Sequence, residues 1–270
     1  MIIRKTLMTL LTKPWILLLS LVIGMVPYML AGIFAGEYMD YTTSAAIIKM
    51  IFIILLMGPF VTYTFEACNG DISDNWFSKG LFKNTLKVLI IIIITRLILP
   101  WIKAFGLIYG YRIVGAYIFV WDFVIMTFEA VALIAVISTH SFADAIDMAT
   151  NETKSIFLKV AALAAIFMVL EFALFPWYTE DTTDISEMEV YVAELDATVE
   201  LESLSDDTLS EMGIDKSALT ADSYLKEAAS YVFYGLFDSI SNAVILVFCA
   251  YNFLETRKIV DDAMARLKEY

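Results

Sequence analysis

Six stretches of this 270-residue chain are apolar over about twenty residues each, the length of helix that crosses a hydrocarbon core. They are Trp15–Gly36, Ser44–Tyr63, Leu86–Phe105, Ile113–Ser138, Ile156–Trp177 and Tyr231–Phe253. Lipid offers no partner for a backbone N–H or C=O, so only helices and closed barrels satisfy such segments. A barrel would show segments of roughly ten residues with alternating polarity, and the chain has none. The run Val88–Thr95 is rich in isoleucine and would suit a strand in water. Inside a twenty-residue apolar stretch it reads as helix. The expected fold is all-α: a polytopic membrane helix bundle with six transmembrane helices, short inner amphipathic helices and a small extracytoplasmic acidic insert. Residues 1–177 carry the first five spans, 178–228 the insert, and 229–270 the last span and a tail.

Composition closes off other classes. Hydrophobic residues make up 60% of the chain and charged ones 18%, against about 25% charged in soluble domains. Neither a soluble globule nor a disordered chain has that balance. Two cysteines exclude a disulfide scaffold or a Cys-rich metal site, and one histidine argues against a His-based metal centre or catalytic triad. There is no Walker loop, dinucleotide-binding glycine pattern, HExxH or Gly-x-Ser-x-Gly. His140 with Asp144 and Asp147 follows Ser141 on an expected short inner helix, where solvated polar residues belong. No enzyme and no cofactor are expected. Nor is nucleic acid, since there is no basic stripe and the one extended polar segment is acidic.

Lysine and arginine favour cytoplasmic flanks. With the N-terminus inside, 12 basic residues fall on inner segments and 5 (Lys49, Lys103, Arg112, Lys216, Lys226) on outer ones, with Arg96 inside a span. The expectation is a multi-pass protein of the cytoplasmic membrane with both termini in the cytoplasm. Arg4, Lys5 and Lys13 ahead of an apolar stretch imitate a secretory signal. The stretch is too long for a signal core and lacks a clean cleavage site, so a retained span is expected. Cys68 and Cys249 fall at inner membrane ends, where a reducing cytosol favours buried thiols over a disulfide.

The segment Tyr178–Ala228 holds 15 acidic residues against Lys216 and Lys226, a net −13 that equals the charge of the whole chain. Its apolar residues, among them Met188, Val190, Val192 and Leu195, fit one buried face. Ser205–Gly213 has the cap and stop of a helical turn, and Asp222 onward reads as a helix entering the last span. At about 50 residues the insert is too small to fold well alone. It either draws cations or cationic peptides by its field or is simply a repulsive outer surface. No Asp-x-Asp-x-Asp-Gly calcium loop is present.

A short amphipathic stretch with basic residues precedes an apolar span at three places, beginning at Arg4, Trp76 and Ile146. Their last lysines, Lys13, Lys87 and Lys159, lie 74 and 72 residues apart. This pattern suggests three related units, as internal repeats often build membrane folds. With the inner loops Asp71-Ile-Ser-Asp-Asn-Trp-Phe-Ser-Lys-Gly-Leu-Phe-Lys83 and Ser141-Phe-Ala-Asp-Ala-Ile-Asp-Met-Ala-Thr150, the layout resembles a broad group of six-span proteins. That group includes the membrane domain fused to some glycerophosphodiester phosphodiesterases. The resemblance covers most of the chain outside the insert. It implies an accessory or lipid-related membrane role and no catalytic residues, since this chain has no hydrolase domain.

Charges inside a span need partners or water, because each costs at least about 2.5–3.5 kcal/mol at the bilayer centre. The candidates are Arg96, Asp122, Glu129, Glu171 and Asp238, with Asn242. Asp122 and Glu129 are seven apart and share a helix face. Two readings are open: an outward polar cavity for a cation or lipid headgroup, or interhelical pairing of Arg96 with Glu129 or Glu171. Glu66 is expected to reach water at an inner span end. Gly32–Gly36 and Ala161–Ala165 have the small-xxx-small spacing for close helix contact. The leading functional expectation is a non-enzymatic accessory or transport-linked component, acting on the lipid bilayer and on a membrane protein partner. The alternatives are an extracytoplasmic binding module for cations or cationic peptides, and a small transporter using the intramembrane carboxylates.

Overall fold

A computed structural model of the chain describes residues 1–34, 41–99, 102, 114–138, 154–175 and 216–268. The described residues are helical, with no strand among them. The helices are α1 (Ile2–Thr12), α2 (Pro14–Gly24), α3 (Val26–Phe34), α4 (Tyr41–Asn69), α5 (Trp76–Ser78), α6 (Thr85–Ile93), α7 (Val114–Ser138), α8 (Lys154–Leu174) and α9 (Lys216–Lys268). Two stretches, Lys79–Asn84 and Ile94–Ile98, are wound as π-helix on either side of α6. Among the described residues, four helical segments are long and apolar enough to cross a membrane: Pro14–Ala31, Ser44–Asn69, Val120–Ser138 and Ala229–Lys258. The third and fifth apolar runs of the sequence are helical where described, in Thr85–Ile98 and Lys154–Leu174.

Prolines punctuate the first span. Pro14 opens α2, where its missing N–H costs nothing. Pro27, in the first turn of α3, has no N–H to offer the Ile23 carbonyl, and α2 gives way to α3 at Met25. Pro59 is accommodated within α4. At the Asn69 end of α4 the chain leaves through Gly70, whose φ of +85° is the left-handed conformation that suits glycine.

One apolar core joins α2, α4, α6, α7, α8 and α9, through fully buried side chains such as Ile16, Phe60, Ile92, Ile134, Val160 and Phe253. A second, smaller cluster at the other end brings Tyr28, Ala31, Ala45 and Tyr234 together. Outside this packing lie exposed aliphatic and aromatic side chains along α4, α8 and α9, including Leu55, Leu158, Val169 and Phe233. An apolar exterior of this extent is what a hydrocarbon solvent requires.

The closest helix crossings are built from small residues. Ser20 and Gly24 on α2 face Gly235 and Ser239 on α9, each pair four apart. Ser20 Oγ donates to the Ser239 carbonyl at 2.6 Å, and Ser239 Oγ donates to the Gly235 carbonyl at 2.6 Å. A Cβ on Gly235 would sit 2.8 Å from the Gly24 carbonyl oxygen and 3.0 Å from Met25 Cα. A second crossing sets Gly58 and Pro59 of α4 against Gly80. There Asn84 Nδ2 donates to Thr62 Oγ1 at 2.9 Å. The small-residue seams expected at Gly32–Gly36 and Ala161–Ala165 are not these. Gly36 lies outside the described residues, and Ala161 and Ala164 are buried on α8.

The final helix begins at Lys216, six residues ahead of the expected start, and runs unbroken past residue 228 into the last span. Residues 178–215 of the acidic segment, the third repeat's opening at 146–153 and the His140 segment lie outside the described residues.

Candidate functional site

The intramembrane polar residues gather where α4, α7, α8, α9 and the π-helical turn Ile94–Ile98 meet. The π-helical winding there widens the backbone turn around Arg96. The Thr95 hydroxyl bonds back to the Ile91 carbonyl at 3.0 Å. Arg96 reaches α7 and grips Glu129: Nη2 lies 2.8 Å from Oε1, and Nε lies 3.2 Å from both carboxylate oxygens. The planar guanidinium matches the carboxylate fork, and charged hydrogen bonds of this kind are among the strongest in proteins. Of the two partners open to Arg96 from sequence, the bonded one is Glu129.

A second pair holds α4 to α9. Lys49 Nζ lies 3.0 Å from Asp238 Oδ2, and Asn242 Nδ2 donates to Asp238 Oδ1 at 2.6 Å. Both oxygens of the carboxylate are thereby engaged. The Lys49 ammonium also lies 5.4 Å from the centre of the Tyr28 ring, a cation–π contact that helps hold a desolvated charge. Lys49, counted from sequence among the outer flanking cations, is a partner inside the bundle, within the apolar segment Ser44–Asn69. Its position five residues into an apolar run was the available signal.

The two pairs share one electrostatic field. Asp238 lies within electrostatic reach of Arg96 as well as Lys49. Glu171 on α8 interacts with Asp238 and Asp122 and has Tyr234 as a hydrogen-bonding neighbour. All six residues singled out from sequence therefore belong to one neighbourhood: Arg96, Asp122, Glu129, Glu171, Asp238 and Asn242. Lys49, Tyr28 and Tyr234 complete it. It holds four carboxylates and two cations. On its Tyr28 side an aromatic cage closes it: Tyr28 stacks on Tyr231 with ring centres 5.9 Å apart, and Phe175 meets Tyr234 edge-on at 5.6 Å.

Glu66, at the far end of α4, departs from expectation. It is 7% exposed and anchors the following loop instead of reaching water. The Ser73 backbone N–H donates to its Oε2 at 3.0 Å and the Ser73 hydroxyl at 2.7 Å, while Lys79 pairs with Oε1. The chain folds back over the carboxylate, because each of those donors finds its acceptor there.

At that same end α1 lies against α9. Lys5 pairs with Glu255 at 3.2 Å, and the Thr9 and Tyr251 hydroxyls are 2.5 Å apart. Arg257 Nη1 reaches the Ser138 carbonyl at the end of α7, 3.4 Å away. Trp76 sits between Tyr63, Trp15 and Phe77, with ring centres 4.7, 6.1 and 5.5 Å away. Cys68 and Cys249 are free thiols, partly and fully buried. Among the described residues no group of His, Cys, Asp and Glu is placed to hold a metal ion. No protein-family model, curated protein or solved structure matches this chain, and its chemistry is read from its own geometry.

Proposed function

We propose that this protein is a six-span, non-enzymatic accessory component of a cytoplasmic-membrane assembly, with both termini in the cytoplasm, working through contacts with a partner protein and with lipid. The observation that carries this reading is the pairing of both intramembrane cations, each with a carboxylate on another helix. Arg96 is held in a fork by Glu129, and Asp238 is engaged by Lys49 and Asn242. Pairs of this kind fix helix positions. A residue pattern like that of the six-span group named above fits the same role. The acidic segment, on the outer side in this orientation, supplies a field that attracts cations or cationic peptides. The test is native mass spectrometry after extraction in mild detergent. A protein retained at fixed stoichiometry supports the accessory role, and a chain that carries none opposes it.

One observation favours a second reading, a small transporter. The neighbourhood holds four carboxylates for two cations, and buried carboxylates in excess of cations suit a cation pathway. In reconstituted vesicles, neutralising Asp122, Glu171 and Asp238 together abolishes flux on this reading. Unchanged flux rejects it.

A further inference from the structure

The helix end that carries α1 has a surface the accessory role does not use. On α1 the polar residues Thr6 and Thr9 are buried, while Ile3, Leu7, Met8 and Leu11 face outward, Leu11 with 76% of its surface exposed. This inverts the pattern of a helix packed on a soluble domain. Arg4 stands on the same outward face and makes no ion pair among the described residues. The π-helical turn repeats the theme: Phe82 is 81% exposed, and the exposed Lys83 and Leu86 follow it. The neighbouring helices meet at this end: Trp15 of α2, two residues after Lys13, contacts Trp76 of α5 with ring centres 6.1 Å apart.

We propose that this face binds the headgroups of anionic lipids, with Arg4, Lys13 and Lys83 as the contact cations and the apolar residues between them seated in the acyl boundary. Charge selects the occupant. The α1 segment carries Arg4, Lys5 and Lys13 and no acid. Glu255 is taken up by Lys5, and among the residues whose side chains are described the exposed acids of this end, Asp71 and Asp74, lie on the loop before α5. Interleaved basic and apolar side chains match an interfacial helix on a negatively charged leaflet. A protein partner would have to cover the same apolar residues that lipid covers at no ordering cost. The proposal rests on the membrane reading above but not on the existence of a protein partner.

The experiment is native mass spectrometry of the full chain titrated with phosphatidylglycerol and phosphatidylcholine, for wild type and for R4Q/K13Q/K83Q. Each basic residue at an anionic surface contributes about a fivefold gain in affinity. Wild type is therefore expected to retain phosphatidylglycerol in preference, and the triple variant to bind both lipids alike. Added inorganic phosphate at matched ionic strength is expected to displace nothing, which separates a lipid site from a phosphate site. K83E alone, at an exposed position, is expected to weaken the preference and serves if the triple variant fails to fold. Equal retention of the two lipids by wild type overturns the proposal. So does a preference that survives both variants, or a protein lost on the triple substitution while the lipid preference stays. A wild-type chain that shows the preference but carries no stoichiometric protein defeats the accessory role and leaves this inference standing.

Discussion

Removing the Arg96 guanidinium would leave Glu129 buried at 8% exposure with its fork empty. Breaking a buried pair from one side costs about 3–5 kcal/mol, whereas replacing both partners by apolar residues is often neutral or stabilising. R96L alone and E129L alone are each expected to lower the thermal midpoint in detergent sharply, and R96L/E129L to recover most of it. A double substitution as unstable as the two losses combined would show that the pair does not act as a unit. For Lys49 the expectation differs, because the Tyr28 ring and Asn242 remain beside Asp238. K49M should destabilise, and adding D238N should restore part of the loss in the same melts. The charged residues of the cluster were legible in the sequence because an ion inside an apolar run is conspicuous. The pairing of Lys49 with Asp238 was not legible, because a cation near the end of a run reads equally well as a solvated flank. Which carboxylate Arg96 takes depends on helix rotation, and hydropathy holds no information about that.

Between helices, the α2–α9 crossing is the most sharply constrained contact. A methyl at Gly235 meets the packed Tyr28 ring and also backbone that cannot swing away, the Gly24 carbonyl oxygen and Met25 Cα. A methyl at Gly24 meets chiefly the Ser239 side chain, which can rotate. Overpacking costs about 1–3 kcal/mol, so G235A is expected at the upper part of that range and G24A below it, as read from unfolding midpoints. Equal effects would mean that the two helices part instead of clashing. The same reasoning extends to the Glu66 anchor. E66A removes the acceptor for Ser73 and Lys79 and should speed proteolytic cleavage in the loop 70–75 without unfolding the bundle. Helix existence was readable from apolar run length, and the α1 stretch from its amphipathic pattern. The crossings were not. Ser20-xxx-Gly24 and Gly235-xxx-Ser239 obey the small-residue rule, and spacing alone does not say which helices such seams bring together. The π-helical turns were also invisible, since their winding answers to packing around Gly80 and Arg96 and not to local propensity.

For the molecule as a whole, the proposed six-span arrangement with inner termini makes a sharp accessibility prediction. In a C68A/C249A background, D206C should react with a membrane-impermeant maleimide on intact cells, and D74C only after permeabilisation. The reverse pattern would invert the orientation, and labelling of both from one side would refute the number of spans. Lys5 and Thr9 near the start of the chain meet Glu255 and Tyr251 near its finish, so α1 and the far end of α9 share one face of the bundle.

Helix α9 is 53 residues long, about 80 Å at 1.5 Å per residue, against a hydrocarbon core of about 30 Å. Mechanically it is a beam with a fulcrum. It is clamped where Gly235 and Ser239 cross α2, and again where Tyr251 and Glu255 meet α1, and its helix continues to Lys216. From the Gly235 crossing to Lys216 the arm is about 30 Å, so a tilt of about ten degrees there sweeps the tip through about 5 Å. In the chain, residues 178–215 of the acidic segment lead directly into that tip. A pull on it is leverage applied to the glycine fulcrum.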